Sequence, residues 1–145
     1  MRLEELELVC VEAARNLAAR GQRPVPTSVV LPLPAGTKVV ALPQWPDDDP
    51  TRFDLLSRFA RDEMRPADAP CYGFVAEAVV DPGGDPVDIL LVAYGARRHR
   101  PRVTAAPLLD DGLGEFGASE DLDPVALPFL SPLQHAADAA GPPPS

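Results

Sequence analysis

Lysine is nearly missing from this chain: Lys38 is the only one in 145 residues, beside twelve arginines. Phosphate-binding loops need a lysine behind their glycines and a strand–turn–helix setting, and neither Gly83-Gly84 nor Gly112-Leu113-Gly114 has either. The arginine preference, with abundant alanine, reads as coding bias and carries no chemistry. Histidine and cysteine are scarce too. His99, His135, Cys10 and Cys71 lie singly along the sequence, without the paired spacing of a zinc site. No Gly-x-Ser-x-Gly turn occurs, and a hydrolytic triad would have to be assembled from distant pieces. Both cysteines sit in apolar patterns, so they are expected to be buried free thiols in a reducing compartment.

Long apolar runs are absent as well, and none approaches the roughly 20 residues that a membrane helix requires. The first residues carry glutamates where a secretory signal needs positive charge. A cytoplasmic protein without a membrane partner is therefore expected. Positive charge is in deficit: the net charge is −9, which repels phosphate backbones and argues against a nucleic-acid partner. The same acidity suits a basic protein partner. Asp47-Asp48-Asp49 and the acids between Asp110 and Asp123 do not follow the calcium-loop pattern, so they read as solvated loops. No metal and no cofactor is expected.

What is abundant is proline and aliphatic sequence. Nineteen prolines far exceed the usual share of about 5%, and 46% of residues are hydrophobic. At this length one domain can bury roughly two-thirds of its unfolded surface. Five Val-, Leu- and Ala-rich runs, at 27–33, 37–42, 71–80, 87–94 and 102–109, read as strands. Because proline has no N–H, the strands it brackets must be short or lie at a sheet edge. Residues 2–20 form a helix whose stripe is Leu3, Leu6, Cys10, Ala13 and Leu17; it either docks on the sheet or pairs with another subunit. A second helix starts at Asp49 as cap with Pro50 in its first turn, and buries Phe53, Leu56, Phe59, Ala60 and Met64. Pro34-Ala35-Gly36 makes a hairpin turn, and Ile89–Tyr94, apolar at successive positions, belongs to a central strand.

These elements predict an α+β fold: an N-terminal helix, a β-hairpin, a crossing helix and a three-strand antiparallel meander in one roughly five-stranded sheet. Residues 1–109 are expected to form that domain. Residues 110–145 are expected to be an acidic, proline-rich extension, ordered in part at most, with 141–145 frayed.

Three places invite a functional reading. Strand alternation puts Glu77 between Val75 and Val79 on one face; it is either paired with an arginine or a half-buried acid suited to proton transfer. Arg97, Arg98, Arg100 and Arg102, around His99, are the only basic island. They are solvated, neutralised by the acidic segment after Asp110, or poised to grip an acidic partner. Trp45, the sole tryptophan, is a binding contact if exposed and a lid over the second helix if buried.

The segment Phe74-Val75-Ala76-Glu77-Ala78, a charged turn and then 87–94 resembles small bacterial proteins of unassigned function that pair such a strand with an apolar one. The likeness covers residues 27–109 and implies an α+β domain with no activity attached. In element order alone the chain is similar to roadblock or profilin-like domains. The leading expectation is a small non-enzymatic protein working through protein contacts, with a partner or as a homodimer. Alternatives are an antitoxin-like or phage-related inhibitor of a basic partner, and an enzyme using Glu77 with an arginine from 97–102.

Overall fold

A computed structural model describes residues 2–81, 83–123 and 125–140. Its centre is the pair β3 (Cys71–Val80) and β4 (Val87–Ala96), antiparallel over ten residue pairs from Cys71↔Ala96 to Val80↔Val87. On one side β1 (Ser28–Leu33) pairs with β3, and β2 (Gly36–Ala41) pairs with β1. On the other, β5 (Arg102–Leu109) pairs with β4 and carries two short strands, β6 (Gly112–Leu113) and β7 (Glu120–Asp121). The order is β2-β1-β3-β4-β5-β6, with β7 beside β5. The five expected strands are all present, and the two short additions extend the sheet beyond five.

α1 (Leu3–Ala19) lies on one face, where Leu6, Cys10, Ala13, Ala14 and Leu17 meet Val30, Val75, Leu90 and Val92. The opposite face is covered by two elements. The first is α2 (Asp49–Phe59), which widens into a π turn (Ala60–Met64) and ends in the single turn α3 (Arg65–Ala67). The second is α4 (Ser131–Ala139), entered through a 3-10 turn at Pro128–Leu130. Between them Tyr72, Phe74, Met64, Leu56, Phe129 and Leu133 form the larger core. Every described element belongs to this layered sheet, so the chain is one α+β domain.

Several local details differ from the sequence reading. Residues 128–140 are an integral part of the core rather than a loosely ordered extension: Leu133 and Ala137 are fully buried. Pro132 in the first turn of α4 starts that helix instead of interrupting it. The fraying expected at 141–145 concerns residues outside the described set. Asp48, not Asp49, caps α2, its carboxylate accepting from the Thr51 N–H at 2.8 Å. Phe53 is 43% exposed and is not part of the helix's buried face.

Pro32 occupies an interior strand, yet it breaks no ladder. The bond from Leu42 N–H to the Thr27 carbonyl (2.8 Å) sets the alternation, so 29↔40, 31↔38 and 33↔36 are the hydrogen-bonded pairs of β1 and β2. The missing N–H of Pro32 therefore faces β3, where pairing has already ended at Val30↔Gly73.

Candidate functional site

The same alternation determines what the free edge of the sheet presents. In β2, Lys38 and Val40 turn their backbone groups inward to β1. The N–H and C=O of Thr37, Val39 and Ala41 face outward. The Thr37 and Val39 side chains lie on the α1 face, because Val39 is opposite Val30 and Val30 packs in the α1 core. Lys38 lies on the other face and pairs with Glu63 at 2.9 Å.

α1 covers β1, β3 and β4 but stops short of β2, leaving a groove of about 610 Å³ between its flank and the edge strand. Leu8, Val9, Ala13, Leu17 and Val39 supply its apolar wall, and Glu12, Asn16 and Arg20 its polar side. Leu8 is 69% exposed and Val39 43%. A strand edge with open backbone groups and exposed aliphatics is a ready template for another strand, and proteins usually blunt such edges.

The opposite edge is blunted. The segment after β5 folds back along it through β6 and β7, and between them the Gly117 N–H donates to the Ala105 carbonyl at 3.0 Å. Leu122 N–H to the Pro101 carbonyl (2.9 Å) and the Thr104 hydroxyl to the Gly117 carbonyl (2.7 Å) complete the cover. Among the described residues, no such strap runs along the outer side of β2.

The residues singled out from the sequence lie elsewhere. Glu77 is on the α1 face as alternation requires, accepting from Arg23 Nε at 2.7 Å and from the Val25 N–H at 3.2 Å. Arg23 also reaches Asp88 at 3.4 Å, and the Glu77 bond is the main reason its guanidinium holds its proton more tightly than usual. Glu77 thus ties the chain after α1 to the sheet. It stands opposite Leu90, whereas Arg97 follows Ala96 at the Cys71 end of the same ladder. Glu77 lies six residue steps along the strand from Cys71, about 20 Å at roughly 3.3 Å each, so Glu77 and the arginine island do not converge.

Within the island the arginines part company. Arg102 is paired with Asp121 at 2.8 Å and donates to the Ser119 carbonyl at 2.8 Å. Arg97 is half-buried, and its Nε has no hydrogen-bond partner. Arg98 and Arg100 are exposed. Trp45 is half-buried over the second core, 5.4 Å from the Phe74 ring and 5.5 Å from Phe129, with the Arg52 guanidinium 5.4 Å from its centroid. It closes that core behind α2.

Cys10 and Cys71 are free and buried. Burial, and to a lesser degree the neighbouring Cys71, pushes the Cys10 thiol from 9.0 up to about 12, so it carries no thiolate reactivity near neutral pH. Among the described residues no group of three or more His, Cys, Asp or Glu is placed to hold a metal ion. No described helix is long and apolar enough to cross a membrane.

The sequence shows β2 as a strand but not as an open edge, because strand order depends on pairings far apart along the chain. One signal was available: Leu8 is a leucine off the buried stripe of α1, and it now lines the groove. Comparison of the chain with protein-family models, with curated proteins and with solved structures finds no match.

Proposed function

We propose that this protein is a protein-binding module that takes up an extended segment of a partner along β2. The observation that carries this reading is the asymmetry of the sheet: one edge is strapped by residues 112–122, while the other offers Thr37, Val39 and Ala41 beside an apolar groove. An added strand would satisfy the outward backbone groups and send alternate side chains into the groove under the α1 flank. Main-chain pairing supplies affinity in such a mode, and the groove wall from Leu8 to Leu17 supplies selectivity.

A second copy of the chain is the other occupant with a specific feature in its favour. An antiparallel pairing centred on Val39 puts Thr37 opposite Ala41 and Lys38 opposite Val40 of the other copy, so no like charges are directly opposed.

Val39→Pro tests both readings. It removes an outward N–H and leaves the β1–β2 hydrogen bonds intact, and edge positions tolerate proline. Proteins retained by the wild type from a lysate should be lost with Val39→Pro, and in the wild-type complex the amides of Thr37, Val39 and Ala41 should gain protection from hydrogen exchange. Light scattering on the two proteins separates self-pairing from partner binding. Undiminished retention by Val39→Pro, with no added protection on β2, refutes the proposal.

A further inference from the structure

The loop between β4 and β5 is held in a way that spends main-chain groups and spares arginine side chains. Arg97 N–H donates to the Pro70 carbonyl at 2.8 Å, His99 N–H to the Ala96 carbonyl at 3.0 Å, and Arg98 N–H to the Asp138 carboxylate at 2.8 Å. From α4, Gln134 Nε2 donates to the Ala96 carbonyl and to Asp138, both at 2.9 Å, while its Oε1 accepts from the Tyr72 hydroxyl at 3.0 Å. This clamp keeps Arg98 at φ 64°, a left-handed conformation that side-chain-bearing residues adopt only when their surroundings impose it. No hydrogen bond or ion pair engages the guanidiniums of Arg98 and Arg100 among the described residues. Two acids at this end of the sheet are already occupied, Asp138 by the loop backbone and Asp121 by Arg102.

Gln134 also lines a second feature. A pocket of about 200 Å³ opens beside the loop between Pro101, Leu122, Leu127, Leu130, Gln134 and His135. Pro101 directly follows Arg100, so a small apolar pocket and two unpaired cations share one corner of the fold. Arg98 and Arg100 are two exposed cations in a chain whose net charge is −9.

We propose that this corner binds a short acidic segment of a partner protein, with one large apolar side chain in the pocket and carboxylates on Arg98 and Arg100. Guanidiniums suit carboxylates through paired, charge-assisted hydrogen bonds. The pocket calls for an apolar side chain, which a phosphate backbone lacks. The global charge repels an extended polyanion or an anionic membrane, whereas a short segment senses chiefly charges within the screening length of about 8–10 Å. The site is separate from the β2 edge and does not depend on it.

Random short peptides displayed on phage, selected against the full chain, provide the probe. Selected sequences should combine adjacent Asp or Glu with one Leu, Ile, Phe or Trp. A fluorescent copy of the best one should bind Arg98→Asn/Arg100→Ser about tenfold or more weakly, the equivalent of one lost charge-assisted contact. Asparagine tolerates the left-handed backbone at position 98, and Arg100→Ser alone, without any change at 98, should weaken binding by a smaller factor. Binding should also weaken with added salt and be unaffected by Val39→Pro. The proposal is overturned by selected peptides without acidic residues, by equal affinity for the double variant, or by loss of binding in Val39→Pro. Co-sedimentation of the wild type with phosphatidylserine vesicles that Arg98→Asn/Arg100→Ser abolishes would also overturn it, in favour of a membrane surface.

Discussion

Replacing Gly73 by alanine tests how closely α1 is seated on the sheet. A β-carbon built at Gly73 falls well inside 3.0 Å of the Cys10 sulfur, 3.3 Å from Cys10 Cβ and 3.2 Å from Val30 Cβ. These atoms belong to a fully buried helix residue and a fully buried strand residue, so neither can swing aside into solvent. Overpacking of this kind costs about 1–3 kcal/mol, and the sulfur contact points to about 2. Cys10→Ala alone removes one buried atom and should cost about 1 kcal/mol. In the double variant the new methyl occupies the space the sulfur has left. Its cost should fall below the sum of the two singles by about 1–2 kcal/mol, the coupling expected of residues in direct contact. Urea unfolding of the four proteins, followed by far-UV circular dichroism with a common slope, measures the cycle. A 2 kcal/mol loss corresponds to a fall in Tm of roughly 4–8 °C for a chain of this size. Strict additivity, or a Gly73→Ala protein as stable as wild type, would show that α1 does not rest on β3 at this point.

Other substitutions probe the remaining contacts. Glu77→Ala strands the N–H of Val25, a residue only 3% exposed, and should cost about 1–2 kcal/mol by urea unfolding. Glu77→Gln keeps an acceptor there and should cost less; equal losses would assign the effect to the Arg23 ion pair instead. Gly95→Ala places a methyl 2.5 Å from Gln134 Oε1 and 2.6 Å from the Tyr72 hydroxyl oxygen. It should cost about 2–3 kcal/mol and raise hydrogen exchange selectively in residues 131–139, whereas uniform exchange would argue against the Tyr72–Gln134 tie. At alkaline pH, the Cys10 thiol ionises near 9.0 when unfolded but only near about 12 in the fold, so the native state holds the extra proton between those values. Stability from this group is complete below that window and declines as pH rises through it. Cys10→Ala should flatten the decline of the urea midpoint above about pH 9 by as much as one proton's slope, and an unchanged slope would refute the assignment.

The sheet was readable because its strands are written as aliphatic runs set off by proline and glycine, and because Ile89–Tyr94 is apolar on both faces, as a central strand must be. Alternation also placed Glu77 on its proper face. Its partner could not be seen: Arg23 lies 54 residues away and meets it only through the docking of α1. α4 was hidden for a different reason. Its buried stripe of Leu133, Ala136, Ala137 and Ala140 is mostly alanine, and Pro128 and Pro132, which open the turn and the helix, look like interruptions in the one-dimensional text. The one-residue displacement of the α2 cap arose where three aspartates in succession offer equivalent carboxylates. The candidate docking edge is a property of strand order, which hairpin signals do not determine. Trp45 was resolved only when Phe129, from the segment thought loose, arrived beside it.

The covering of the sheet by α4 bears on how the chain is made. Tyr72, Phe74 and Ala93 are in place once β4 ends at Ala96, but Leu133 is synthesised 37 residues later (133 − 96). At about 5–20 residues per second, a growing chain carries the part of that surface reserved for α4 open for roughly 2–7 s, with only α2 already made to lie over it. The face beneath α1 has its shelter from the outset. Synthesis therefore finishes the two sides of this protein at different times, and the later side is the one that needs guarding from other nascent chains.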